Sequence, residues 1–241
     1  MTNSKKKVVL LIVEGSCEEV LLYNRLRSLF EQYNIRFHIQ RGDILYDLDK
    51  PKEPIRSVID NAVKEFMIKS KFRSDDIFCV VHIIDMDGCF IPEEAITIDE
   101  TQKELTVYHL DRISVPHDKQ KQQIAVRNVD RSRNINEMRA LVKILSGEIN
   151  YRMYYFSRNL EHVLFKEPNP EKGSKFPEVE RFIEQLEIPI EDFLQDSMPQ
   201  LKGIDPYSES WKRITVDTAS LQKFSNVPLL FEFIKVQSKQ L

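Results

Sequence analysis

The chain has little of several residue types, and each shortage excludes a class of protein. Only three of its 241 residues are cysteine, and their odd number and irregular spacing argue against a disulfide framework and a cysteine-based metal site. No apolar run reaches the length of a membrane span, so we expect no membrane segment. The net charge of −3 shows no bulk excess of basic residues, so nucleic-acid binding would need a local patch. A cytoplasmic globular protein is the expectation.

Glycine is also scarce, with six residues in the whole chain. No Walker A loop, which needs closely spaced glycines around a bound phosphate, can be found among them. Any ATPase that works with this protein would therefore be a separate chain. The few glycines that are present indicate positions where the backbone adopts a conformation, or makes a close approach, that a side chain would hinder.

Two glycines belong to acidic clusters that directly follow apolar, β-branched runs. The clusters are Glu14-Gly15-x-x-Glu18 after residues 8–13 and Asp85-x-Asp87-Gly88 after residues 77–84. Such runs are typical of central strands in a parallel sheet, buried on both faces. Ligands of open α/β sheets bind outside the carboxyl ends of the strands, so the four carboxylates are expected to converge there.

The order of elements predicts an α/β fold. Residues 8–84 have the periodicity of strand, helix, strand, helix, strand, which favours right-handed crossovers and a mainly parallel sheet flanked by helices. A further strand is predicted at 151–156 and a helix at 159–165. Between them and the first part, residues 90–148 are interpreted as an insertion, with a mobile polar segment at 117–133 and a helix at 136–145.

The predicted order of elements also gives the predicted domains. Residues 1–165 form the α/β domain with its insertion, and residues 166–241 form a mainly helical C-terminal extension. Proline and glycine predict loops at 43–54 and 167–177. The single tryptophan, Trp211, is expected to serve packing.

Carboxylates that lie close together repel each other unless a cation neutralises them. Oxygen ligands alone favour Mg²⁺ or Mn²⁺ over Zn²⁺, which prefers nitrogen and sulfur. A simpler interpretation also stands for the first cluster, because acidic residues often occupy the first turn of a helix. Ser16 is a fair N-cap in that case, and Glu18 would then stabilise the helix rather than bind metal.

The pairing of Glu14-Gly15-x-x-Glu18 with Asp85-x-Asp87-Gly88 resembles the TOPRIM domain, over roughly residues 7–165. TOPRIM domains occur in primases, topoisomerases and nucleases, and have a Rossmann-like fold. The resemblance implies that Glu14 acts as general acid or base and that Asp85 and Asp87 hold metal. Glu18 matches the acidic residue that assists metal binding in the nuclease branch.

A segment after the last predicted strand is similar to one in small TOPRIM nucleases of bacterial defence systems. The resemblance implies that Ser157 and Glu161, both in this segment, complete a second metal site. The alternative is that Ser157 caps a helix whose surface carries Glu161. These nucleases also use a downstream lysine, for which Lys212 and Lys223 are the candidates, and we expect Lys212 to be the catalytic one.

The resemblance implies a nuclease that uses one or two Mg²⁺ or Mn²⁺ ions to cleave DNA or RNA. It also implies a cytoplasmic role in anti-phage defence, a separate ATPase partner, and a homo-oligomer or hetero-complex. The basic stretch 119–133 is compatible with contacts to a phosphate backbone, but is more often a solvated segment.

Two other functions remain open on the same residues. The Asp85-x-Asp87-Gly88 motif also resembles the first motif of haloacid-dehalogenase-like phosphatases, where Asp85 would be the nucleophile and Asp87 the acid or base. Against this, that motif normally opens its domain, and Cys89 replaces an expected hydroxyl residue. A third possibility is a non-catalytic subunit that keeps the fold and binds nucleic acid or a partner.

Overall fold

The structure, a computed structural model, describes residues 6–39, 44–46, 53–167, 169 and 175–239. The loops predicted at 43–54 and 167–177 lie for the most part outside the described residues. The fold is α/β, with mixed sheets and helices that flank them, so the predicted fold class is confirmed at this level. The finer arrangement, a Rossmann-like TOPRIM fold, remains a proposal.

Strands and helices alternate at the start of the chain, and short strands and helices follow. The strands are β1 (Val8–Val13), β2 (Asn34–Ile39), β3 (Ile77–Asp85), β4 (Ile96–Ile98), β5 (Val107–Tyr108), β6 (Ile113–Val115), β7 (Lys143–Ile144) and β8 (Ile149–Phe156). The α-helices are α1 (Ser16–Leu29), α2 (Ile55–Ser70), α3 (Asp118–Arg139), α4 (Leu160–Phe165), α5 (Lys175–Gln185), α6 (Ile190–Gln195), α7 (Pro206–Ile214) and α8 (Pro228–Ser238). The predicted order of strand, helix, strand, helix, strand is confirmed by the elements from β1 to β3.

The larger sheet has five strands in the order β2-β1-β3-β8-β7. Strand β1 pairs in parallel with β2 and with β3, whereas β7 is antiparallel to β8. Every residue of β1 is buried, as expected for a central strand that is covered on both faces. Because β1 and β3 are parallel neighbours, their carboxyl ends face the same edge of the sheet.

A smaller sheet lies in the segment that was interpreted as an insertion. Its strands have the order β4-β6-β5, with β4 parallel and β5 antiparallel to β6. Buried aliphatic side chains pack against this sheet, among them Ile96, Ile113, Ile124 and Leu221. The segment therefore shares a packed core with Leu221 of the C-terminal part.

The polar segment 117–133 was expected to be mobile, and this prediction is wrong because residues 118–139 form the 22-residue helix α3. Its buried positions include Ile124, Ile135 and Met138 at helical spacing, but three buried positions are polar, namely Asn128, Asp130 and Arg131. An apolar pattern therefore could not reveal the helix. The helix predicted at 136–145 is also corrected, since α3 ends at Arg139 and residues 143–144 form β7.

The chain divides into two compact units, residues 1–83 with 134–154, and residues 84–133 with 155–241. The chain passes from one to the other within β3, α3 and β8. This division does not follow the predicted boundary at residue 165, and the predicted domains stay a prediction.

The C-terminal residues 175–239 contain the helices α5 to α8. Trp211 is buried and its ring lies 4.9 Å from that of Tyr155, which confirms its role in packing. Among the described residues, no helix combines the length and the apolar character that crossing a membrane requires.

Candidate functional site

Asp85 is the last residue of β3, and both its side chain and its carbonyl group have partners in the second unit. Its carboxylate Oδ1 accepts a hydrogen bond from the backbone N–H of Leu160, the first residue of α4, at 3.1 Å. Its carbonyl oxygen accepts a hydrogen bond from Nη2 of Arg131 on α3. The strand end is therefore held by two helices that approach it from elsewhere in the sequence.

Asp87 follows in a turn with a left-handed backbone, at φ 49°. Its N–H donates to the carbonyl oxygen of Arg158 at 2.8 Å, and the N–H of Met86 donates to Phe156 at 3.0 Å. Aspartate is one of the few non-glycine residues that enter this region readily, since its short side chain can bond locally. The turn thus continues the pairing of β3 and fixes the spacing of the two aspartates.

Gly88 completes the turn and is required there for two reasons. Its φ is +65°, and a Cβ atom at this position would lie 2.6 Å from Cδ2 of Leu221 and 3.2 Å from Cδ1 of Ile113. Contacts under 3.0 Å force a neighbouring group to move, so a side chain here disturbs both the turn and the core below it. This explains why one of the few glycines of the chain occupies the motif.

Three arginines surround the aspartate pair. Nη1 of Arg131, a residue only 1% exposed, lies 3.5 Å from Oδ2 of Asp87. Nη2 of Arg127 donates to the Asp87 carbonyl oxygen at 2.8 Å, and its Nη1 donates to the hydroxyl of Tyr108 at 3.2 Å. The guanidinium of Arg158 stacks on the ring of Tyr108 at 4.6 Å. Arg131 and Arg127 therefore contact Asp87 directly, whereas the Arg158 side chain contacts Tyr108 and Asn169.

Burial and the charge of Asp87 shift the pKa values of the titratable side chains in this cluster. Burial, and then Asp87, raise the pKa of the Tyr108 hydroxyl. Burial acts to lower the pKa of Arg127, but Tyr108 and Asp87 outweigh it and the pKa is raised. Burial lowers the pKa of Arg158 to about 10, against the opposing effect of Tyr108 and Asp87, so Arg158 stays charged at neutral pH. These arginines were missed because their partners lie far away in sequence.

Glu14 and Glu18 belong to the first unit. Gly15, not the predicted Ser16, is the N-cap of α1, and its N–H donates to Oε2 of Glu18 at 3.1 Å. Glu18 is buried and caps the helix start by accepting the Gly15 N–H, which is the half of a capping box that a glycine N-cap allows; this supports the simpler interpretation of the residue. Glu14 follows β1 directly and is half-buried. The expected convergence of these glutamates with Asp85 and Asp87 remains a prediction.

Ser157, a predicted metal ligand, is fully buried and its hydroxyl has protein partners. Oγ donates to the carbonyl oxygens of Gln222 at 2.5 Å and Ala219 at 3.4 Å. These hydrogen bonds link the end of β8 to the segment before α8. The N-cap of α4 is Asn159, whose Oδ1 accepts from the N–H of His162 at 2.8 Å, so the capping role suggested for Ser157 belongs to the residue two positions further on.

Glu161, the other proposed ligand of a second metal, is 3% exposed and forms an ion pair with a lysine. Its Oε1 lies 3.1 Å from Nζ of Lys175, the first residue of α5. Its Oε2 has no hydrogen-bond partner among the residues that the structure describes. Sequence reasoning missed Lys175 because it lies 14 residues after Glu161 and belongs to no motif.

The two lysines considered from the sequence are placed differently. Lys212 is exposed on α7, and its ammonium pairs with Oε1 of Glu209 at 2.8 Å. The ammonium of Lys223 lies 6.0 Å from the ring centre of Phe193, and burial, followed by Lys166, lowers its pKa. The structure gives neither lysine a contact with an aspartate of the Asp85–Gly88 turn.

The described residues contain no group of three or more His, Cys, Asp or Glu side chains that is close enough to hold a metal ion. Mg²⁺, however, is usually held by one or two carboxylates together with phosphate oxygens and water. The carboxylates of Asp85 and Asp87 are oxygen donors of this kind, with Oδ1 of Asp85 engaged by Leu160 and Oδ2 of Asp87 at 3.5 Å from Arg131, and Asp87 is partly exposed. A second ion at Glu161 fits less well, because Lys175 already neutralises that carboxylate.

Comparison of the chain with protein-family models, with curated proteins and with solved structures found no match. The resemblance to TOPRIM proteins therefore rests on the two acidic motifs themselves. The function must be inferred from the residues of the site and their contacts.

Proposed function

We propose that the protein is a metal-dependent nuclease that hydrolyses phosphodiester bonds in DNA or RNA. The observation that carries the proposal is the Asp85–Gly88 turn, whose two aspartates are held at the end of β3 beside buried arginines. Phosphoryl transfer depends mainly on positioning and on electrostatic stabilisation, and this pairing of acidic and cationic groups supplies both.

In this proposal, Asp85 and Asp87 hold one Mg²⁺ or Mn²⁺ ion. Such an ion, when bound, supplies Lewis-acid stabilisation of charge on phosphate oxygens. Arg127 and Arg131 act as positioning residues, since both donate to the backbone or side chain of the aspartate turn. Their charges also offset the repulsion between the aspartates and an incoming phosphate.

Glu14 is proposed as the general acid or base, on the resemblance to TOPRIM nucleases. Glu14 directly follows β1, in the first of the two acidic motifs. Hydrolysis needs a proton acceptor for the attacking water, and Asp85 is already engaged with Leu160. The wider setting, namely anti-phage defence, a separate ATPase and a cytoplasmic oligomer, is proposed on the same resemblance.

The cleavage assay uses plasmid, single-stranded DNA and tRNA, with and without Mg²⁺ or Mn²⁺. We expect at least one substrate to be cut only with metal, and Asp85→Asn to abolish the cut. Asp111→Asn, an exposed aspartate paired only with the neighbouring Arg112, is the matched control and keeps the activity. Turnover of p-nitrophenyl phosphate with an adduct on Asp85 would instead identify a phosphatase, and binding without cleavage a non-catalytic subunit.

Lys175 is proposed as the lysine that works with Glu161, in place of Lys212. Lys175→Met leaves the buried Glu161 carboxylate without its cation, so we expect both the melting temperature and the cleavage rate to fall. Lys212→Met removes only an exposed ion pair and should change neither measurably.

The control for both variants is Lys235→Met, which removes another exposed pair, on α8. Rates are compared at a temperature where every variant is folded by circular dichroism. A loss of cleavage in Lys212→Met, with Lys175→Met unaffected, would restore Lys212 as the catalytic lysine.

A further inference from the structure

A cavity of about 740 Å³ lies in the first compact unit, at the opposite end of β1 from Glu14. Its described lining comes from the second half of α1, the connection to β2 and the start of β2, together with Lys6 before β1. Because β1 and β2 are parallel, with Val8 beside Asn34, the starts of both strands border the same space. The volume is within the range of roughly 300–1,000 Å³ that is typical of small-molecule sites.

The described lining of this cavity is positively charged, although the whole chain has a net charge of −3. It contains three cationic side chains and one acidic one, namely Lys6, Arg27, Arg36 and Glu31. Arg27 and Arg36 are exposed, and neither guanidinium forms a hydrogen bond or an ion pair with a residue that the structure describes. The ammonium of Lys6 donates to the carbonyl oxygen of Glu31. Two such guanidinium groups beside one cavity favour an anion that accepts directed hydrogen bonds, such as a phosphate.

The same lining contains an aromatic ring and amide groups. Tyr23 on α1 is half-buried, and its ring meets that of Phe37 edge-on, with 6.1 Å between the ring centres. Asn24 and Asn34 carry amide side chains, which both donate and accept hydrogen bonds. Proteins bind unpaired bases by stacking them on aromatic rings and by hydrogen bonds to their edges. Cationic, aromatic and amide groups around one cavity therefore match the phosphate and the base of a nucleotide.

We propose that this cavity binds a nucleotide unit, either as a free nucleotide or as part of a single-stranded nucleic acid. Its phosphate accepts hydrogen bonds from Arg27 and Arg36, and its base stacks on Tyr23. The six residues of β1 separate the cavity from Glu14 by about 20 Å along the strand. Binding at this distance requires neither a metal nor a hydrolytic step, so the site is independent of the proposed cleavage.

Each arginine also has a simpler role, which the test must separate from ligand binding. Arg27 is in the last turn of α1, where a cation offsets the partial negative charge of the helix C-terminus. Strand β2 is at the edge of the five-stranded sheet, where a charged residue such as Arg36 discourages pairing with another chain. Neither of these roles predicts that a nucleotide binds, or that its affinity depends on both arginines.

The test measures the binding of two probes to the metal-free protein, a 5′-mononucleotide by calorimetry and a labelled single strand of about ten nucleotides by fluorescence anisotropy. The double variant Arg27→Gln/Arg36→Gln should bind about 25-fold more weakly, roughly fivefold for each contact between exposed charges. Arg56→Gln/Lys64→Gln removes the same charge from exposed positions of α2 outside the lining, and this matched control should bind as the wild type does. Wild-type protein that binds neither probe, or equal binding by the two double variants, would overturn the proposal.

The contact with the base is tested at Tyr23. Tyr23→Leu removes the ring and should weaken binding about tenfold, whereas Tyr23→Phe keeps the ring and should bind as the wild type does. Circular dichroism and the melting temperature show whether both variants keep the fold, since Tyr23 also contacts Phe37. Equal affinities of the two folded variants would overturn the stacking of a base in this cavity.

Comparison of the two probes identifies the source of the nucleotide unit. Similar affinities for both assign the cavity to a free nucleotide, and much tighter binding of the strand assigns it to single-stranded nucleic acid. In the second case, log K falls with log salt concentration by about 0.7 for each phosphate contacted, so the double arginine variant should lower that slope by roughly 0.7. Either pattern supports the site. Failure of this binding would leave the Asp85-dependent cleavage assay unaffected, so the two proposals can fail separately.

Discussion

At the residue scale, the Asp85–Gly88 turn depends on two left-handed residues in succession, Asp87 and Gly88. The first tolerates this conformation because of its short polar side chain, and the second because it has no side chain. The turn carries both aspartates of the proposed site. Its geometry should therefore affect stability and cleavage together.

Gly88→Ala is predicted to lower the free energy of unfolding by roughly 2–4 kcal/mol, measured by urea denaturation. The added Cβ is both strained at φ +65° and too close to Leu221 and Ile113. Gly147→Ala is the matched control, because Gly147 also has a positive φ, of +91°, but nothing lies within 4 Å of its Cβ position. We expect the control to lose about 1 kcal/mol. Equal losses in both variants would refute the steric part of the account.

His162 is predicted to make the fold sensitive to mild acid. Burial, followed by Arg158 and Lys223, lowers its pKa from 6.5 to about 4. Between these values the unfolded chain binds a proton that the folded chain does not. The contribution of the neutral imidazole to the free energy of unfolding is therefore complete above pH 6.5. It is lost as the pH falls toward 4, by roughly 3 kcal/mol in total.

Urea denaturation from pH 4 to pH 7.5, in buffer without phosphate, checks this prediction. His162→Gln cannot take up the proton and should flatten the pH dependence, whereas His117→Gln, at an exposed position, should leave it unchanged. A pH dependence that is identical in wild type and His162→Gln would contradict the assignment.

At the element scale, β1, β3, α1 and α2 could be predicted because their apolar residues recur with a clear period or run. Helix α3 could not, since its buried face includes Asn128 and Arg131, whose burial depends on contacts with the aspartate turn. The same limit applies to the site. The acidic motifs are local in sequence, but Arg127 and Arg131 reach the turn from about 40 residues further along the chain.

Arg131 is the residue of α3 whose loss should matter most. Arg131→Met is predicted to lower the free energy of unfolding by roughly 2–3 kcal/mol, the lower part of the range for a broken buried pair, since Asp87 is partly exposed. Thermal or urea unfolding measures the loss. The same substitution at Arg133, an exposed arginine of this helix, should stay within about 0.5 kcal/mol of wild type. An Arg131→Met protein as stable as Arg133→Met would show that the pair does not hold α3 in place.

At the scale of the whole molecule, the two acidic motifs belong to different compact units of the described chain. Glu14 follows β1 in the first unit, whereas Asp85 and Asp87 lie in the second. The resemblance to TOPRIM nucleases is what assigns the two motifs to one site. The central claim is that both motifs serve a single hydrolytic reaction.

The most direct test measures metal-dependent cleavage rates for wild type, Glu14→Gln, Asp85→Asn and the double variant, on the substrate that the wild type cuts. When two groups act together in one reaction, the effects of replacing them on the rate are not additive. Each single variant should therefore cleave roughly 100-fold more slowly or worse, and the double variant only a little more slowly than that. Wild-type cleavage by Glu14→Gln, or losses that multiply in the double variant, would contradict the account.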